Sequence, residues 1–467
     1  MKMKLMIKRF ALLSPVLLLA LTASTGAAEI KLPSLEGLPS VDRNVLDNGI
    51  KVLSIKDELP RTEIYCEIGY GKIHETPELA GLADILARNI SISGTVKYPA
   101  NELQEKIESV GGEISIRSEW ENIIIVIKVL SKHTGLAFSV LGDILKEPVM
   151  EDSRLQYPKK LVYENFVREM DEPAAAGFVK LREIIFDGRN YGSVISENSI
   201  NRISAGDLKR VWDKYACGSN INIAVSSSLT RDELARVYSE HLSGVKAGQK
   251  EMYTVDNKEL LAEIPEKSKN IYLVPRELDQ ATIVMGTVAP DIKYEGNYAL
   301  FMMNYILGGG SFNSRLMSDI RVKRGLAYSV FSLVRSRSKT GVFMSFVQTR
   351  NDEAANVLAL MKENISGMYK EDVPVEELDW AKESVLNSYV FNFAKTSDIL
   401  SNYLEIEFNE LDRNYYTDYP AKIKKVTPDD IKRESVLLFK QGVVVVVVGK
   451  KSLAESLKSS GNVVIIE

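Results

Sequence analysis

The segment Gly81–Arg88 has the spacing of a zinc-binding helix but lacks its ligands. Residues 84, 87 and 88 would share one face of a helix, because they are related as i, i+3 and i+4. The pattern His-x-x-Glu-His uses this spacing to present two zinc ligands and a general base. Here the three residues are Asp84, Ala87 and Arg88. Alanine cannot move a proton and arginine has no free lone pair, so we expect no catalytic zinc on this helix.

The remaining residues offer no histidine-based replacement for this site. The three histidines, His74, His133 and His241, never stand three to five residues apart. Cys66 and Cys217 are far apart and lack metal-type spacing. We expect two buried thiols, although the sequence leaves a disulfide open because it supplies no geometry. The sequence therefore predicts no metal in this chain.

The glycine-rich segment Leu307–Leu316 is the remaining motif with possible chemistry. It contains Gly308, Gly309 and Gly310 but lacks the Gly-Lys-Ser/Thr ending of a phosphate-binding loop. It also follows a predicted helix rather than a strand. We therefore expect a flexible turn and no bound nucleotide.

The first 28 residues have the anatomy of a secretory signal peptide. A basic start precedes the apolar run Phe10–Leu21, and small residues follow at Ala23–Ala28. A membrane anchor is the alternative, but the run is shorter than the roughly 20 residues needed to span a bilayer. We expect cleavage near Ala28, export to a bacterial periplasm, and no membrane span after cleavage.

Charge and length exclude a nucleic-acid-binding protein and favour more than one domain. The formal charge of −4, with Lys and Arg spread along the chain, gives no nucleic-acid footprint. A length of 467 residues exceeds one ordinary core, so two or more domains are expected.

The elements that would position these residues form an α+β pattern that occurs twice. In each half, two strands precede a helix, two more strands follow, and several helices lead to a closing strand. The predicted strands of the first half are Lys51–Ile55, Thr62–Ile68, Glu113–Arg117, Ile123–Val129 and Ile221–Val225. Those of the second half are Asn270–Pro275, Ala281–Thr287, Ala327–Arg335, Gly341–Gln348 and Val443–Val448.

A local sequence echo supports two homologous halves. The segment Ile203–Arg210 resembles Val426–Arg433, and Asp207 corresponds to Asp430 at an offset of 223 residues. We place the first α+β domain at 29–245 and the second at 270–467. The polar stretch 246–269 is the predicted linker, in which Glu259–Ala262 would form a helical turn.

This order of elements, together with four short motifs, resembles the pitrilysin-type zinc metallopeptidases. The motifs are Leu46–Val52, Ala80–Ala83, Ser93–Thr95 and Arg324–Val330. This family of inverzincins includes insulinase, mitochondrial processing peptidase, the core subunits of the cytochrome bc complex and bacterial heterodimeric peptidases. The resemblance implies a clam-like chain with a mainly antiparallel sheet packed with helices in each half.

The resemblance also identifies a degenerate metal site. Asp84 and Arg88 take the places of the two histidines, and Ala87 takes the place of the catalytic glutamate. Glu164, about 76 residues beyond Arg88, takes the place of the third ligand. Two placements of Arg88 remain open: its guanidinium lies between Asp84 and Glu164 where the metal would be, or it points into solvent or a central chamber.

The second half carries a different signature of the family. Substrate-binding members use an arginine and a tyrosine seven residues apart, and Arg321 and Tyr328 have that spacing. Both are hydrogen-bond donors at neutral pH and would position a peptide carbonyl and stabilise its oxyanion. The alternative is a helix-surface cation and a strand aromatic. The resemblance further suggests substrate contact by the loop at Gly308–Gly310.

The family resemblance implies a zinc-less, substrate-binding subunit of an exported heterodimeric zinc metallopeptidase. A homologous partner would hold the zinc, the substrates would be peptides or unfolded polypeptides, and this chain alone would be inactive. The alternative is a non-enzymatic scaffold or peptide-binding protein, like the core subunits of the cytochrome bc complex. A homodimer with unconventional ligands around Asp84 and Glu164 is disfavoured, because Arg88 would repel the cation.

Overall fold

A computed structural model describes residues 39–466. The predicted signal peptide, residues 1–28, lies outside the described residues. None of the helices between residues 39 and 466 combines the length and the apolar content needed to cross a bilayer.

The first half of the chain forms a six-stranded, mainly antiparallel sheet. Its strands are β1 (Val41–Val45), β2 (Lys51–Lys56), β3 (Arg61–Ile68), β4 (Glu113–Ser118), β5 (Ile123–Leu130) and β6 (Ile221–Ser227). Their order is β1-β2-β6-β3-β5-β4, and only the β2–β6 pair is parallel. The β1–β2 hairpin turns at Asn48 and Gly49, where Gly49 has a φ of 94° that favours glycine.

The second half repeats this sheet. Its strands are β7 (Asn270–Pro275), β8 (Gln280–Ala289), β9 (Ala327–Ser336), β10 (Gly341–Arg350), β11 (Val444–Gly449) and β12 (Asn462–Ile465). The order β12-β7-β11-β8-β10-β9 matches that of the first sheet, and β12 occupies the edge that β1 occupies there. The predicted α+β fold with two homologous halves is therefore confirmed. The strand β12 has no counterpart among the predicted strands.

Helices cover both sheets. Those of the first half are α1 (Leu82–Ser93), α2 (Glu102–Glu108), α3 (Thr134–Lys146), α4 (Asp152–Met170), α5 (Pro173–Ile185), α6 (Glu197–Arg202), α7 (Ala205–Tyr215) and α8 (Arg231–Leu242). Next come α9 (Asn257–Lys267), α10 (Asn297–Asn304), α11 (Ala354–Lys370), α12 (Val375–Tyr389), α13 (Thr396–Asn409), α14 (Tyr415–Lys425), α15 (Pro428–Phe439) and α16 (Leu453–Leu457). The helix α9 lies inside the stretch 246–269 and is longer than the single turn predicted there.

The sequence echo marks the same capping structure in both halves. Ser204 caps α7 and Thr427 caps α15, each by accepting a hydrogen bond from the backbone N–H three residues later. Asp207 and Asp430 complete the two capping boxes by accepting from the backbone of the capping residues. Equivalent residues thus start equivalent helices.

The two halves are joined by an exchange of helices. The helix α5 of the first half packs on β8 and β11 of the second sheet, where Leu181 and Ile185 share a core with Val284. Gly177 permits this approach, because an added Cβ would lie 2.7 Å from a methyl group of Val284. The helix α13 of the second half packs in turn on β3 and β6 of the first sheet. Each sheet therefore buries both faces, one of them against the other half.

Candidate functional site

The helix with the zinc-type spacing, α1, begins at a buried carboxyl group. The backbone N–H groups of Gly81 and Ala83 donate to Glu75 over 2.9 and 2.6 Å. These two donors are among those that a helix start leaves unsatisfied, so Glu75 caps the helix. Burial raises the pKa of Glu75 to about 8. The chain therefore fixes the position of α1 firmly, although this helix lacks zinc ligands.

Asp84 is engaged by a lysine that the sequence analysis did not identify. The Nζ atom of Lys72 lies 2.9 Å from Oδ2 of Asp84, and the hydroxyl of Ser118 donates to Oδ1. Burial acts to lower the pKa of Lys72, but the carboxylate of Asp84 outweighs it and the pKa lies above its ordinary value. Lys72 therefore remains protonated. Its ion pair with Asp84 engages the carboxylate that could otherwise have bound a metal.

Arg88 and Glu164 do not join this ion pair. Both are exposed, and the nearest cation to Glu164 is Lys160, with 3.8 Å between Nζ and Oε1. Within residues 39–466, Arg88 forms no ion pair, which agrees with the placement that points it into solvent or a chamber. No group of three or more His, Cys, Asp or Glu side chains in this range is arranged to hold a metal. The residues at the degenerate site thus do not fit a zinc ion.

Arg321 and Tyr328 meet in space. A helical segment, Met317–Lys323, widens to π-type hydrogen bonding and is followed by a turn at Gly325, whose φ of 64° favours glycine. The turn carries the chain into β9, so that the guanidinium of Arg321 lies 4.9 Å from the ring centre of Tyr328. The ring of Phe312 lies 5.2 Å from the same guanidinium. Two aromatic rings therefore hold the arginine by cation–π contact.

This arrangement leaves polar atoms free to act on a ligand. Tyr328 is 80 % exposed at the beginning of the edge strand β9. Within residues 39–466, Arg321 pairs with no carboxylate, and its one side-chain contact of hydrogen-bond type is with the sulfur of Met317 at 4.0 Å. A guanidinium and a phenol so placed can donate together to a carbonyl oxygen. Arg321 and Tyr328 therefore lie side by side, and within residues 39–466 neither takes part in a salt bridge.

The glycine-rich segment serves packing as well as turning. Gly308 and Gly310 are buried and Gly309 is exposed. A Cβ on Gly308 would lie 2.5 Å from the backbone nitrogen of Ser332 in β9, so this close approach requires glycine. The turn that follows the glycines, Ser311–Asn313, is also exposed and presents Phe312 to Arg321. Substrate contact by the glycines themselves stays a prediction.

The two cysteines are free and buried. Burial raises the pKa of both Cys66 and Cys217, which keeps them as inert thiols. The disulfide that the sequence left open is not present.

Lys72 and Phe312 are the contacts that sequence reasoning missed. Phe312 lies two residues after the last glycine of the run, Gly310, so an aromatic beside a predicted turn was an available signal. Lys72 lies 12 residues before its partner Asp84 and in a different element, a 3-10 turn after β3, so no spacing rule indicates the pair.

Two protein-family models match consecutive segments of the chain. "Insulinase (Peptidase family M16)" matches residues 51–197, and "Peptidase M16 inactive domain" matches residues 202–385. The chain is similar to an uncharacterised zinc protease of Bacillus subtilis, with 24 % identity over 77 % of this chain and 86 % of the relative. It is also similar to cytochrome b-c1 complex subunit 1 of the rat mitochondrion, with 25 % identity over 70 % of this chain and 68 % of that subunit.

Solved structures share the fold. A peptidase M16 inactive domain from Pseudomonas fluorescens superposes with a TM-score of 0.78 at 20 % identity, covering 88 % of this chain and 98 % of that one. A protease from Helicobacter pylori superposes with a TM-score of 0.77 at 16 % identity, covering 88 % of this chain and all of that one.

Proposed function

This chain belongs to peptidase family M16, and on that premise we propose that it is the zinc-less, substrate-binding subunit of an exported two-chain zinc metallopeptidase. The partner would be a homologous chain that carries the zinc ligands and the general base. The substrates would be peptides or unfolded polypeptides, held in a chamber between the two chains. The observation that carries the proposal is the contrast between the lost metal site and the intact donor pair.

The loss of zinc chemistry follows from the side chains around α1. Lys72 neutralises Asp84, and Ala87 offers no base. Arg88 adds a permanent positive charge on the same helix, which opposes a divalent cation. A chain of this family with these residues needs its zinc from another subunit if it is to take part in peptide hydrolysis.

The role of Arg321 and Tyr328 follows from their exposure and their donors. As a peptide carbonyl is attacked, negative charge develops on its oxygen, and donors already in place stabilise it. Phe312 and Tyr328 hold the guanidinium in one orientation, which lowers the entropy lost when a substrate binds. A purely structural arginine would be expected to pair with a carboxylate rather than to lie between two exposed rings.

A scaffold function is the second candidate. The similarity to a cytochrome b-c1 subunit supports it, because that relative is named as a subunit of the cytochrome b-c1 complex. A scaffold has no chemical need for an exposed arginine–tyrosine donor pair. If the chain is a scaffold, any peptidase activity of a mixture with a zinc-bearing homologue would not depend on these two side chains.

The first experiment is to purify the mature chain alone and together with a zinc-bearing homologue from the same genome. We expect substoichiometric zinc and no peptidase activity for the chain alone, and activity in the mixture. One tightly held zinc per chain, with peptidase activity that Glu164→Ala abolishes, would contradict the proposal. Export is tested separately by locating the chain in periplasmic and cytoplasmic fractions.

A further inference from the structure

A cluster of cations surrounds Trp120 at the junction of the two halves. Trp120 lies in the turn between β4 and β5, and the guanidinium of Arg182 on α5 lies 4.8 Å from its ring centre. The guanidinium of Arg337, in the turn between β9 and β10, lies 5.5 Å from the same ring centre. The ammonium of Lys72 is 5.8 Å from it. Three elements from both halves thus bring positive charge to one indole.

Two of these cations have no anionic partner in the described chain. Lys72 is paired with Asp84, but within residues 39–466 neither Arg182 nor Arg337 forms an ion pair with a carboxylate. The Nε atom of Arg182 is buried and has no hydrogen-bond partner in that range. A buried donor of this kind is costly unless a ligand or water meets it.

The electrostatics of the two arginines point the same way. Burial lowers the pKa of Arg182 to about 10, and the positive charge of Arg337 adds to this effect although Glu169 opposes it. Burial also lowers the pKa of Arg337, against the opposing charge of Glu121. The guanidinium groups of Arg182 and Arg337 repel each other and are partly removed from water, so an anion bound between them would stabilise their charged forms.

The carboxylates that face the cluster do not supply that anion. Glu121 already accepts hydrogen bonds from the hydroxyls of Tyr191 and Tyr253 and from the backbone of Ser338. Glu169 is exposed on α4 and forms no ion pair within residues 39–466. The two guanidinium groups therefore keep donors for a ligand.

We propose that Trp120, Arg182 and Arg337 form a subsite for a carboxylate of the peptide substrate, either its C-terminus or an acidic side chain. The planar donor fork of arginine matches a carboxylate in two hydrogen bonds, and Trp120 holds the forks in place. Lys72 touches both Trp120 and Asp84, so the subsite adjoins the face of α1 that carries the degenerate metal site. This inference rests on the proposed function in that the ligand is a peptide.

Trp120 itself provides the readout. The full chain, without any partner, is titrated with a tryptophan-free peptide that has one acidic side chain and a free C-terminus, and indole emission is recorded. Three further titrations use the C-terminal amide, the peptide with Glu replaced by Gln, and inorganic phosphate. We expect binding of the acidic peptide to change the emission of Trp120. Removing the carboxylate that the subsite binds, either the C-terminus or the acidic side chain, should weaken binding ~10-fold or more.

Variants assign the signal to the cluster. Arg182→Met and Arg337→Gln should each weaken the binding of the acidic peptide by roughly tenfold. Trp120→Phe should remove the change in emission. Arg350→Gln is the control, because that arginine is exposed at the end of β10 and pairs locally with Asp352. If Arg182→Met impairs folding, as circular dichroism would reveal, Arg337→Gln in the turn between β9 and β10 carries the test.

Three outcomes would overturn the subsite: equal affinity for all peptide forms, unchanged affinity of Arg337→Gln, or phosphate binding as tightly as the acidic peptide. Since the measurement needs neither zinc nor a partner, it separates the two proposals. If binding depends on the carboxylate but no mixture is active, the subsite proposal is supported and the proposed two-chain peptidase is contradicted.

Discussion

Replacing Glu121 by alanine should loosen the junction between the two halves. Glu121 follows Trp120 in the β4–β5 turn and is 8 % exposed. Its Oε1 atom accepts from the hydroxyl of Tyr191 over 2.7 Å and from that of Tyr253 over 2.5 Å. It also accepts from the backbone nitrogen of Ser338 over 3.1 Å and from the hydroxyl of that residue. One carboxylate therefore ties the first half to the segment between the halves and to the second.

The expected cost follows from these donors. A hydrogen bond to a charged group contributes about 1.5–3 kcal/mol, and a donor left buried without a partner costs a similar amount. Water can reach part of a junction between turns, so the three partners together should lower the free energy of unfolding by about 3–6 kcal/mol. The loss should fall on the contact between the halves rather than on either sheet.

Urea unfolding followed by circular dichroism measures the change, and hydrogen exchange locates it. We expect faster exchange in the turn at Ser338 and in Tyr253 of the Glu121→Ala variant. Glu119→Ala is the matched control two residues away, because Glu119 is half-exposed and its side chain pairs, among the described residues, only with Arg117. That pair should contribute less than about 1 kcal/mol. Equal destabilisation by the two variants, or an unchanged exchange rate at Ser338, would refute the reasoning.

Two further predictions concern burial and packing. Burial raises the pKa of Glu67 from 4.5 to about 8, so the folded chain keeps a proton that the unfolded chain loses between these values, and stability should fall as the pH rises from about 5 to 8. Glu67→Gln should flatten that slope in melting temperatures measured across the range; an unchanged slope would contradict the assignment. Gly308→Ala should destabilise by about 2–4 kcal/mol, since its Cβ would meet the backbone of Ser332, whereas Gly206→Ala on the exposed face of α7 should be neutral or stabilising in the same denaturation assay. Equal effects of the two alanines would contradict the packing argument.

The repeated fold could be predicted because local signals carry it. The capping boxes at Ser204 and Thr427 lie within four residues each and start equivalent helices. The strands follow from short apolar runs, and their bounds differ from the predicted ones by a few residues. The short strand β12, Asn462–Ile465, was missed because four residues at a sheet edge give little periodicity.

The contacts between the halves could not be predicted. The amphipathic pattern of α5 shows that one face is buried, but not that the partner is the sheet of the other half. The same holds for Lys72 with Asp84 and for Glu121 with Ser338, which depend on where distant turns meet. The family resemblance did suggest Arg321 and Tyr328 as a pair, yet the contact of Phe312 with the guanidinium could be found only from the structure.

The most direct test of a division of labour between two chains is the kcat/KM of the reconstituted pair with Tyr328→Phe in this chain. The substitution keeps the ring beside Arg321 and removes only the phenolic donor. Tyr157→Phe, on the exposed surface of α4 in the other half, is the matched control. If Tyr328 stabilises the oxyanion in trans, kcat/KM should fall by about 10²–10³-fold while the control keeps its activity and both variants still bind the partner. A value within about twofold of the unsubstituted pair would contradict the account.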